Sequence, residues 1–257
     1  NTRLQVEHPV TEATTGLDLV SLQFDVAAGL PLPSPEPPAA QGWSVEARLY
    51  AEDPANDWRP MSGDLTRLDF DDVVSSFSGP DRAGLRLDSG FEPAPDRAAT
   101  VGTNYDAMLA KVITWAPTRA EAVSRLSAAL RRARIHGLGT NRELLVHILD
   151  DAEFRAGTFD TSYLSDERVA VLSAPLADPA TTALSLFAAA AAAEEETLSD
   201  LPTPPVPAGF RNVGRASTEH RFQVGAEEVT TEIIRTRRGN PRGTGDADGA
   251  EVISIER

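Results

Sequence analysis

The chain begins with a segment in which a large polar side chain occupies every second position. Its residues, in order, are Asn1, Thr2, Arg3, Leu4, Gln5, Val6 and Glu7. Alternate side chains of a β-strand project to opposite faces, so this pattern predicts a strand with four hydrogen-bonding groups on one face. A strand that only contributes to a core has no need for such a face. We therefore expect this face to bind a small oxyanion, hold a metal ion and supply a base.

A second segment, residues 44–50, shows the same alternation. Small and branched apolar residues occupy one face of the predicted strand, and the other face carries Ser44, Glu46, Arg48 and Tyr50. Residues 51–54 predict a turn, and short strands are predicted within 63–70 and 85–88. This second polar face also carries more functional groups than a solvated surface requires.

Along the chain, helices are predicted both between these strands and after them. One helical run opens at Pro9, with Thr11 or Thr14 as its cap, and ends at Gly29. The segments 118–121 and 140–143 both read as capping boxes, each followed by an apolar stripe. Asp106 and Lys111 are expected to form a pair on a helix surface. Nearer the end of the chain, an alanine-rich helix is predicted to end at Glu196. It is followed by predicted strands at 221–224, 230–234 and 251–257, with a mobile loop at 237–249.

Composition excludes several classes of function. The net charge of −15 disfavours a nucleic-acid partner, because binding to phosphates requires a basic surface. The absence of cysteine excludes disulfides and thiolate zinc sites and is compatible with a cytoplasmic protein. The longest uncharged stretch, 179–193, is too short to span a bilayer as a helix, so no membrane association is expected. There is no initial Met and the chain opens within a predicted strand, so we expect a fragment of a longer protein.

Several motifs, in the right order over about 165 residues, resemble the biotin carboxylase family of ATP-grasp enzymes. They include the opening segment and its continuation, the segment around Arg48, and three later ones. The matching stretches are 1–12, 15–20, 42–54, 104–111, 139–141 and 159–164.

The resemblance implies roles for five residues. Arg3, with Gln5 and the backbone of Val6, matches the bicarbonate pocket, and a guanidinium can hold two oxygens of a planar anion at once. Glu7 matches the general base that deprotonates bicarbonate, which then attacks the γ-phosphate of ATP to give carboxyphosphate. Arg48 matches the residue that stabilises the enolate-like oxygen of biotin during carboxylation, and so completes the catalytic set with Arg3 and Glu7.

The resemblance also implies cofactors and partners. ATP would bind with Mg²⁺ or Mn²⁺, and Asn1 matches an amide ligand of that metal. Biotin would arrive on a carrier domain, of which this sequence has no Met-Lys-Met signature. Residues 209–213 resemble the region that joins carboxylase and carrier in acyl-CoA carboxylase α subunits of the methylcrotonyl-CoA type. The implied partners are the carrier domain, a carboxyltransferase β subunit and further copies of the subunit.

We expect an α+β fold, with a mixed sheet packed by helices, followed by a linker and a partial β unit. Residues 1–30 would be the end of the ATP-grasp catalytic region, and 31–168 the biotin carboxylase C-terminal domain. Residues 169–207 would be a helix and a Pro-rich linker, and 208–257 a partial β-rich region that docks a subunit.

Three alternatives stay open. Arg3 and Glu7 could be members of ordinary surface ion pairs, which contribute little to stability. The chain on its own could act only as a folding or docking module without turnover, even if the parent protein is an enzyme. A different ATP-grasp ligase is disfavoured, because Arg48 lies in a motif characteristic of the biotin enzymes.

Overall fold

The computed structural model describes residues 3–79, 83–199, 217–224, 227–235, 241–243 and 247. Its α-helices are α1 His8–Thr15, α2 Leu19–Ala27, α3 Arg119–Arg132, α4 Arg142–Asp150, α5 Ala152–Ala156, α6 Asp166–Leu172 and α7 Pro179–Ser199. Its strands are β1 Trp43–Tyr50, β2 Glu52–Asp53, β3 Arg59–Pro60, β4 Gly63–Leu65, β5 Arg67–Asp69, β6 Val73–Ser75, β7 Gly84–Ser89, β8 Ala99–Val101, β9 Met108–Ala116, β10 Arg134–His136, β11 Thr218–Val224, β12 Glu227–Arg235 and β13 Pro241–Gly243. The chain divides into two compact units, residues 1–174 and 175–257.

The first unit is built on a four-stranded sheet with the order β1-β9-β7-β6. Strand β9 pairs antiparallel with both β1 and β7, whereas β6 runs parallel to β7. The sheet is therefore mixed, and with the helices around it the predicted α+β class is confirmed. The short strands predicted within 63–70 and 85–88 are also present, as β4, β5 and part of β7.

Helix α3 covers one face of this sheet. Its N-cap is Thr118, whose side chain accepts a hydrogen bond from the amide of Glu121, as the capping box predicts. The predicted apolar stripe is buried and consists of Ala122, Leu126, Ala129, Leu130 and Ala133. The Thr114 hydroxyl on β9 donates to the carbonyl of Ala122 at 2.9 Å, which joins the sheet to the helix.

Strand β9 is the centre of the sheet and was not predicted. Its apolar residues face both sides of the sheet, so five of its nine residues, Leu109, Ala110, Val112, Ile113 and Ala116, are buried hydrophobics. A strand covered on both faces loses the polar–apolar alternation by which strands are recognised. The prediction that Lys111 pairs with Asp106 on a helix surface is therefore wrong, because Lys111 lies on this strand.

The single helix predicted from Pro9 to Gly29 is two helices. Gly16, at φ +73°, ends α1 in the left-handed conformation that glycine adopts without strain. Asp18 then caps α2 by accepting from the amide of Ser21 at 2.8 Å. Thr11 and Thr14 lie inside α1 and are not its caps. After α2, residues 31–38 are irregular as predicted, whereas the turn predicted at 51–54 contains the short strand β2.

The second unit contains the alanine-rich helix and a small antiparallel sheet. Helix α7 and strands β11 and β12 lie where the sequence predicts them, and β12 also pairs with β13. β13 falls inside the segment predicted as a mobile loop, so that prediction is wrong for residues 241–243. The predicted strand 251–257 and the Pro-rich linker, residues 201–207, lie outside the described residues. Across the described part, none of the helices combines the length and the apolar character needed to cross a bilayer.

Candidate functional site

Three charged side chains form one row across the central sheet. Arg48 on β1 pairs in register with Lys111 on β9, and Lys111 pairs with Asp88 on β7. Directly paired residues face the same side of a sheet. This side faces α1, because Arg86, on the same face of β7, donates to Glu12 on that helix at 2.7 Å. The row therefore lies beneath the N-terminal segment, where the sequence places the chemistry.

Residues 3–7 form an irregular segment and a turn, so the predicted strand is absent from them. The carbonyl of Gln5 accepts from the amide of His8 at 3.2 Å, and also contacts the His8 ring at Nδ1. The carbonyl of Glu7 is engaged by the first turn of α1. These acceptors serve the turn and the helix start, which prevents them from joining a strand ladder.

The alternation of side chains nevertheless survives in this segment. Arg3, Gln5 and Glu7 are exposed, whereas Leu4 and Val6 are half-buried. The three exposed residues line an open cleft of about 1010 Å³, whose other walls include α2 and the Pro-rich connection that follows it. Arg3 and Gln5, two of the three residues assigned to the bicarbonate pocket, thus border a common space with Glu7, whereas Val6 is not among the residues that line it.

Glu7 and Arg48 are brought together although 41 positions separate them. Nη2 of Arg48 donates to Oε2 of Glu7 at 2.7 Å. Both side chains remain accessible, with 40% of Arg48 and 52% of Glu7 exposed. Only one oxygen of Glu7 takes part, so within the described residues Oε1 of Glu7 stays open to a substrate.

Glu46 lies behind this pair on the same face of β1. Its side chain is 5% exposed, and its Oε1 lies 4.0 Å from Nε of Arg48. Neither carboxylate oxygen has a hydrogen-bond partner within the described residues. Burial raises the pKa of Glu46 to about 7; the charges of Glu7 and Asp88 add to this, and Lys111 and Arg48 oppose it.

Lys111 links the row to the N-terminal segment. Its Nζ donates to the carbonyl of Val6 at 3.3 Å and lies 3.3 Å from Oδ2 of Asp88. Sequence reasoning missed this residue, although one signal was available. Lys111 is the only lysine in the chain, and all the other residues in its Lys and Arg total are arginines. An ammonium is a compact point charge that fits between two oxygen acceptors, whereas a guanidinium is a broad planar fork.

Arg86 forms a buried ionic cluster beside the row. It donates from Nε and Nη2 to Asp88, with a shortest distance of 2.8 Å, and from Nη1 to Glu12 at 2.7 Å. The three side chains are at most 5% exposed. Burial alone raises the pKa of Asp88, but hydrogen bonds from Arg86 and the Phe77 amide, with the charges of Arg86 and Lys111, lower it overall. The cluster fixes α1, and thereby the segment that precedes it, on the sheet.

Asn141 fixes the strand end that carries Arg48. Its side chain accepts from the amide of Tyr50 at 3.0 Å and donates to the carbonyl of Arg48 at 3.1 Å. Its own amide donates to the Tyr50 carbonyl at 3.1 Å. The capping box predicted at Thr140 is therefore wrong: α4 begins after Asn141, whose side chain serves β1 rather than the helix. β1 is an edge strand of the four-stranded sheet, so the backbone groups on its outer side are available to Asn141.

The proposed metal ligand, Asn1, lies outside the described residues. Within the described ranges, no group of three or more acidic or histidine side chains is arranged to hold a metal ion. His8, beside Glu7, is engaged with the Gln5 carbonyl and lies 3.9 Å from Glu12. The described residues therefore fit an anion and a proton transfer, and they do not by themselves form a metal site.

Two family models match this chain. Residues 46–166 match the biotin carboxylase C-terminal domain, and residues 1–35 match the ATP-binding domain of the carbamoyl-phosphate synthase L chain. The first contains Arg48, Lys111 and Asn141, and the second contains Arg3 and Glu7. The Glu7–Arg48 contact therefore joins the two matched regions.

Curated relatives agree with these matches. The α subunit of mitochondrial methylcrotonoyl-CoA carboxylase from Rattus norvegicus is 41% identical over 165 residues, which are 64% of this chain and 21% of that protein. Biotin carboxylase 2 of Bacillus subtilis is 42% identical over 165 residues, which are 64% of this chain and 34% of that protein. The chain thus spans about a fifth to a third of the length of these relatives.

Solved structures show the same likeness. The biotin carboxylase domain dimer of the 2-oxoglutarate carboxylase from Hydrogenobacter thermophilus, in complex with MgADP, ADP and bicarbonate, matches with a TM-score of 0.59 and 35% identity. That match covers 69% of this chain and 36% of the other. Motifs, family models, relatives and solved structures agree that residues 46–166 of this chain are a biotin carboxylase C-terminal domain.

Proposed function

We propose that this chain is part of an acyl-CoA carboxylase α subunit that carboxylates biotin with ATP and bicarbonate by way of carboxyphosphate. The observation that carries the proposal is the 2.7 Å contact between Arg48 and Glu7, which unites the residues matched to the two halves of the reaction. The relatives include methylcrotonoyl-CoA and propionyl-CoA carboxylase subunits, at 41% and 38% identity. We propose the methylcrotonyl-CoA type, on the resemblance of residues 209–213.

Bicarbonate would bind beside Glu7 in the cleft. Arg3 and Gln5 border the same space and offer a guanidinium and an amide to the oxygens of a planar anion. The backbone of Val6 would complete the pocket. Its carbonyl is held by the ammonium of Lys111, which fixes the peptide geometry at this point. The pocket would therefore be positioned by a residue that does not touch the anion.

Glu7 would take the proton of bicarbonate. A general base must lie within hydrogen-bond reach of that proton. Oε2 of Glu7 is held by Arg48, which leaves Oε1 for the substrate. The contact with Arg48 orients the carboxylate. The proton would move from the bicarbonate hydroxyl to Oε1, and leave an anion able to attack phosphorus.

Arg48 would act in the second half of the reaction. Negative charge develops on the ureido oxygen of biotin as the adjacent ring nitrogen attacks carbon dioxide. A fixed guanidinium stabilises such charge more than water does, because it needs no reorganisation. Asn141 holds the backbone of Arg48, which gives the guanidinium a fixed origin.

ATP, Mg²⁺ or Mn²⁺, and biotin on a separate carrier domain complete the proposed system. ATP would supply the phosphoryl group, and Asn1 would provide an amide ligand for the metal ion. We propose residues 1–30 as the end of the ATP-grasp region, 31–168 as the C-terminal domain, 169–207 as linker and 208–257 as docking region. The proposed partners are the carrier domain, a carboxyltransferase β subunit and a second copy of the subunit, in the cytoplasm.

The test uses two substitutions in the full-length subunit that carries this chain's residues. Arg48→Ala should lower biotin carboxylation by about a hundredfold or more, as loss of a charge-stabilising donor does, with a much smaller loss of bicarbonate-dependent ATP hydrolysis. Glu7→Gln should lower both reactions by about a hundredfold or more, because deprotonation of bicarbonate precedes both. Each rate is measured at saturating ATP with free biotin.

Arg67→Ala is the matched control, because Arg67 forms an exposed ion pair with Asp69 on β5 and should leave both rates unchanged. Equal losses of both rates in Arg48→Ala would refute its role. ATP hydrolysis retained in Glu7→Gln would exclude Glu7 as the base. The chain of 257 residues alone is expected to show no turnover, and turnover by it would show that ATP binds through residues to which no role is assigned above.

A further inference from the structure

Glu46 is a buried acid that no step of the proposed reaction uses. It lies two residues before Arg48 on the same face of β1, and its side chain is 5% exposed. A buried carboxylate normally accepts hydrogen bonds, because burying an unpaired charge is costly. Both oxygens of Glu46 lack such a partner within the described residues. A group buried at this cost beside the reacting pair requires an explanation.

The position of Arg48 supplies one. Its guanidinium is bonded to Glu7 through Nη2, and its Nε lies 4.0 Å from Oε1 of Glu46. The first distance is a hydrogen bond, whereas the second is an ion-pair contact without one. Arg48 therefore stands between two carboxylates and is bonded to the one that is more accessible. A small rotation of its side chain would exchange the partner.

We propose that Glu46 is a positioning residue for Arg48: when ionised it draws the guanidinium away from Glu7, and when neutral it leaves the guanidinium bonded to Glu7. This inference rests on the proposed function, and it names the regulation of that same site. With Glu46 neutral, the base stays paired with Arg48. With Glu46 ionised, both oxygens of Glu7, and not Oε1 alone, are available to the proton of bicarbonate, and Arg48 is drawn toward Glu46.

The charges around Glu46 make both states accessible. Lys111 on β9 and Arg48 on β1 favour its ionised form, whereas Glu7 and Asp88 on β7 favour the neutral form. Helix α1, which packs on β1, also carries His8 and Glu12, which lie 3.9 Å from each other. Burial outweighs the two cations and raises the pKa of Glu46 to about 7. The exchange of partner would therefore occur near neutral pH, where an enzyme can use it.

The sign follows from the direction of this shift. Below about pH 7 Glu46 is neutral and Arg48 stays with Glu7. As pH rises through that value, Glu46 ionises and competes for Arg48. Wild-type kcat/KM for bicarbonate should rise about fivefold between pH 6 and 8, because ionisation of Glu46 converts a less active form of the enzyme into a more active one.

The test measures this pH profile in the full-length subunit for wild type, Glu46→Gln, Glu46→Asp and Glu52→Gln. Glu46→Gln mimics the neutral acid and should stay at the low value from pH 6 to 8. Glu46→Asp should restore a rise. Glu52→Gln is the matched control, because burial and the charge of Asp106 also raise the pKa of Glu52, and Arg48 is not among the groups that shift it. It should keep the wild-type profile.

A second measurement needs no activity. Because Lys111 is the only lysine, selective ¹³C-lysine labelling of this chain gives a single side-chain signal. Among the neighbouring charges, that of Lys111 has the largest effect on the pKa of Glu46. The chemical shift of the lysine should therefore change with a midpoint near pH 7 in wild type and not in Glu46→Gln. A wild-type rise in kcat/KM that survives Glu46→Gln overturns the proposal, and so does a lysine shift that survives it. If wild type shows no bicarbonate-dependent ATP hydrolysis, the proposed function fails, and the lysine signal alone decides whether Glu46 titrates beside Lys111.

Discussion

Arg48 and Arg86 lie on the two strands that flank β9 and face the same side of the sheet. Arg48 binds Glu7 in the N-terminal segment and Arg86 binds Glu12 on α1, each at 2.7 Å. Their surroundings are opposite. Arg86 and Glu12 are almost fully buried, whereas Arg48 and Glu7 are about half exposed. A buried pair cannot lose one partner without leaving an uncompensated charge, whereas an exposed pair exchanges partners with water at little cost. The buried Arg86–Glu12 pair is suited to anchoring α1 on the sheet, and the exposed Arg48–Glu7 pair is suited to binding and proton transfer.

The largest effect is expected from breaking the buried arginine. Arg86→Met should lower the free energy of unfolding of the first unit by about 3–5 kcal/mol, because Glu12 and Asp88 would remain buried without their cation. Urea unfolding followed by tryptophan fluorescence measures this unit, since Trp43, Trp58 and Trp115 all belong to it. If the free energy of unfolding falls by less than about 1 kcal/mol, the Arg86 ion pairs contribute no more to stability than exposed ion pairs do.

An intermediate effect is expected at Lys111, which lies between the two arginines. Lys111→Met should lower the free energy of unfolding by about 1–2 kcal/mol, because the Val6 carbonyl loses its donor while Asp88 keeps Arg86. Hydrogen exchange should also accelerate in residues 3–10. Lys111→Arg is the matched comparison that retains the charge. Unchanged exchange in this segment would show that the contact with Val6 does not hold it.

The smallest effect on stability is expected at the accessible arginine. Arg48→Ala should change the free energy of unfolding by less than about 1 kcal/mol, because both partners of the pair remain solvated. The same urea titration measures it, beside the large loss of carboxylation expected in the full-length subunit. A destabilisation as large as that of Arg86→Met would make Arg48 a structural residue and remove the contrast between the two pairs.

Local patterns predicted a large part of this fold, because their causes are local. The capping box at Thr118 and the apolar stripe behind it predicted α3 through neighbouring side chains and backbone amides. The polar face of β1 followed from its alternation. The resemblance led us to expect Glu7 and Arg48 in one site, and the structure places them 2.7 Å apart.

The elements that were missed depend on distant partners. β9 has both faces covered, so its sequence alternates weakly, and its pairing partners on β1 lie up to 73 positions away. The N-terminal segment has an alternating sequence, yet its carbonyls are taken by α1. Asn141 looked like part of a helix cap, but its amide binds the end of β1. The alternation placed Glu46 on the polar face of β1 but did not predict its burial, because burial of a carboxylate is a property of the packed sheet.

The row formed by Arg48, Lys111 and Asp88 makes the site intolerant of insertions and deletions in β9. Removing one residue there would rotate Lys111 to the α3 side and bring an alanine or a valine beneath Val6. The exposed connection at 31–38, in contrast, can absorb extra residues, since its backbone takes no part in a sheet. Homologous chains are therefore expected to differ in length before β1 and to keep a constant spacing from Met108 to Ala116.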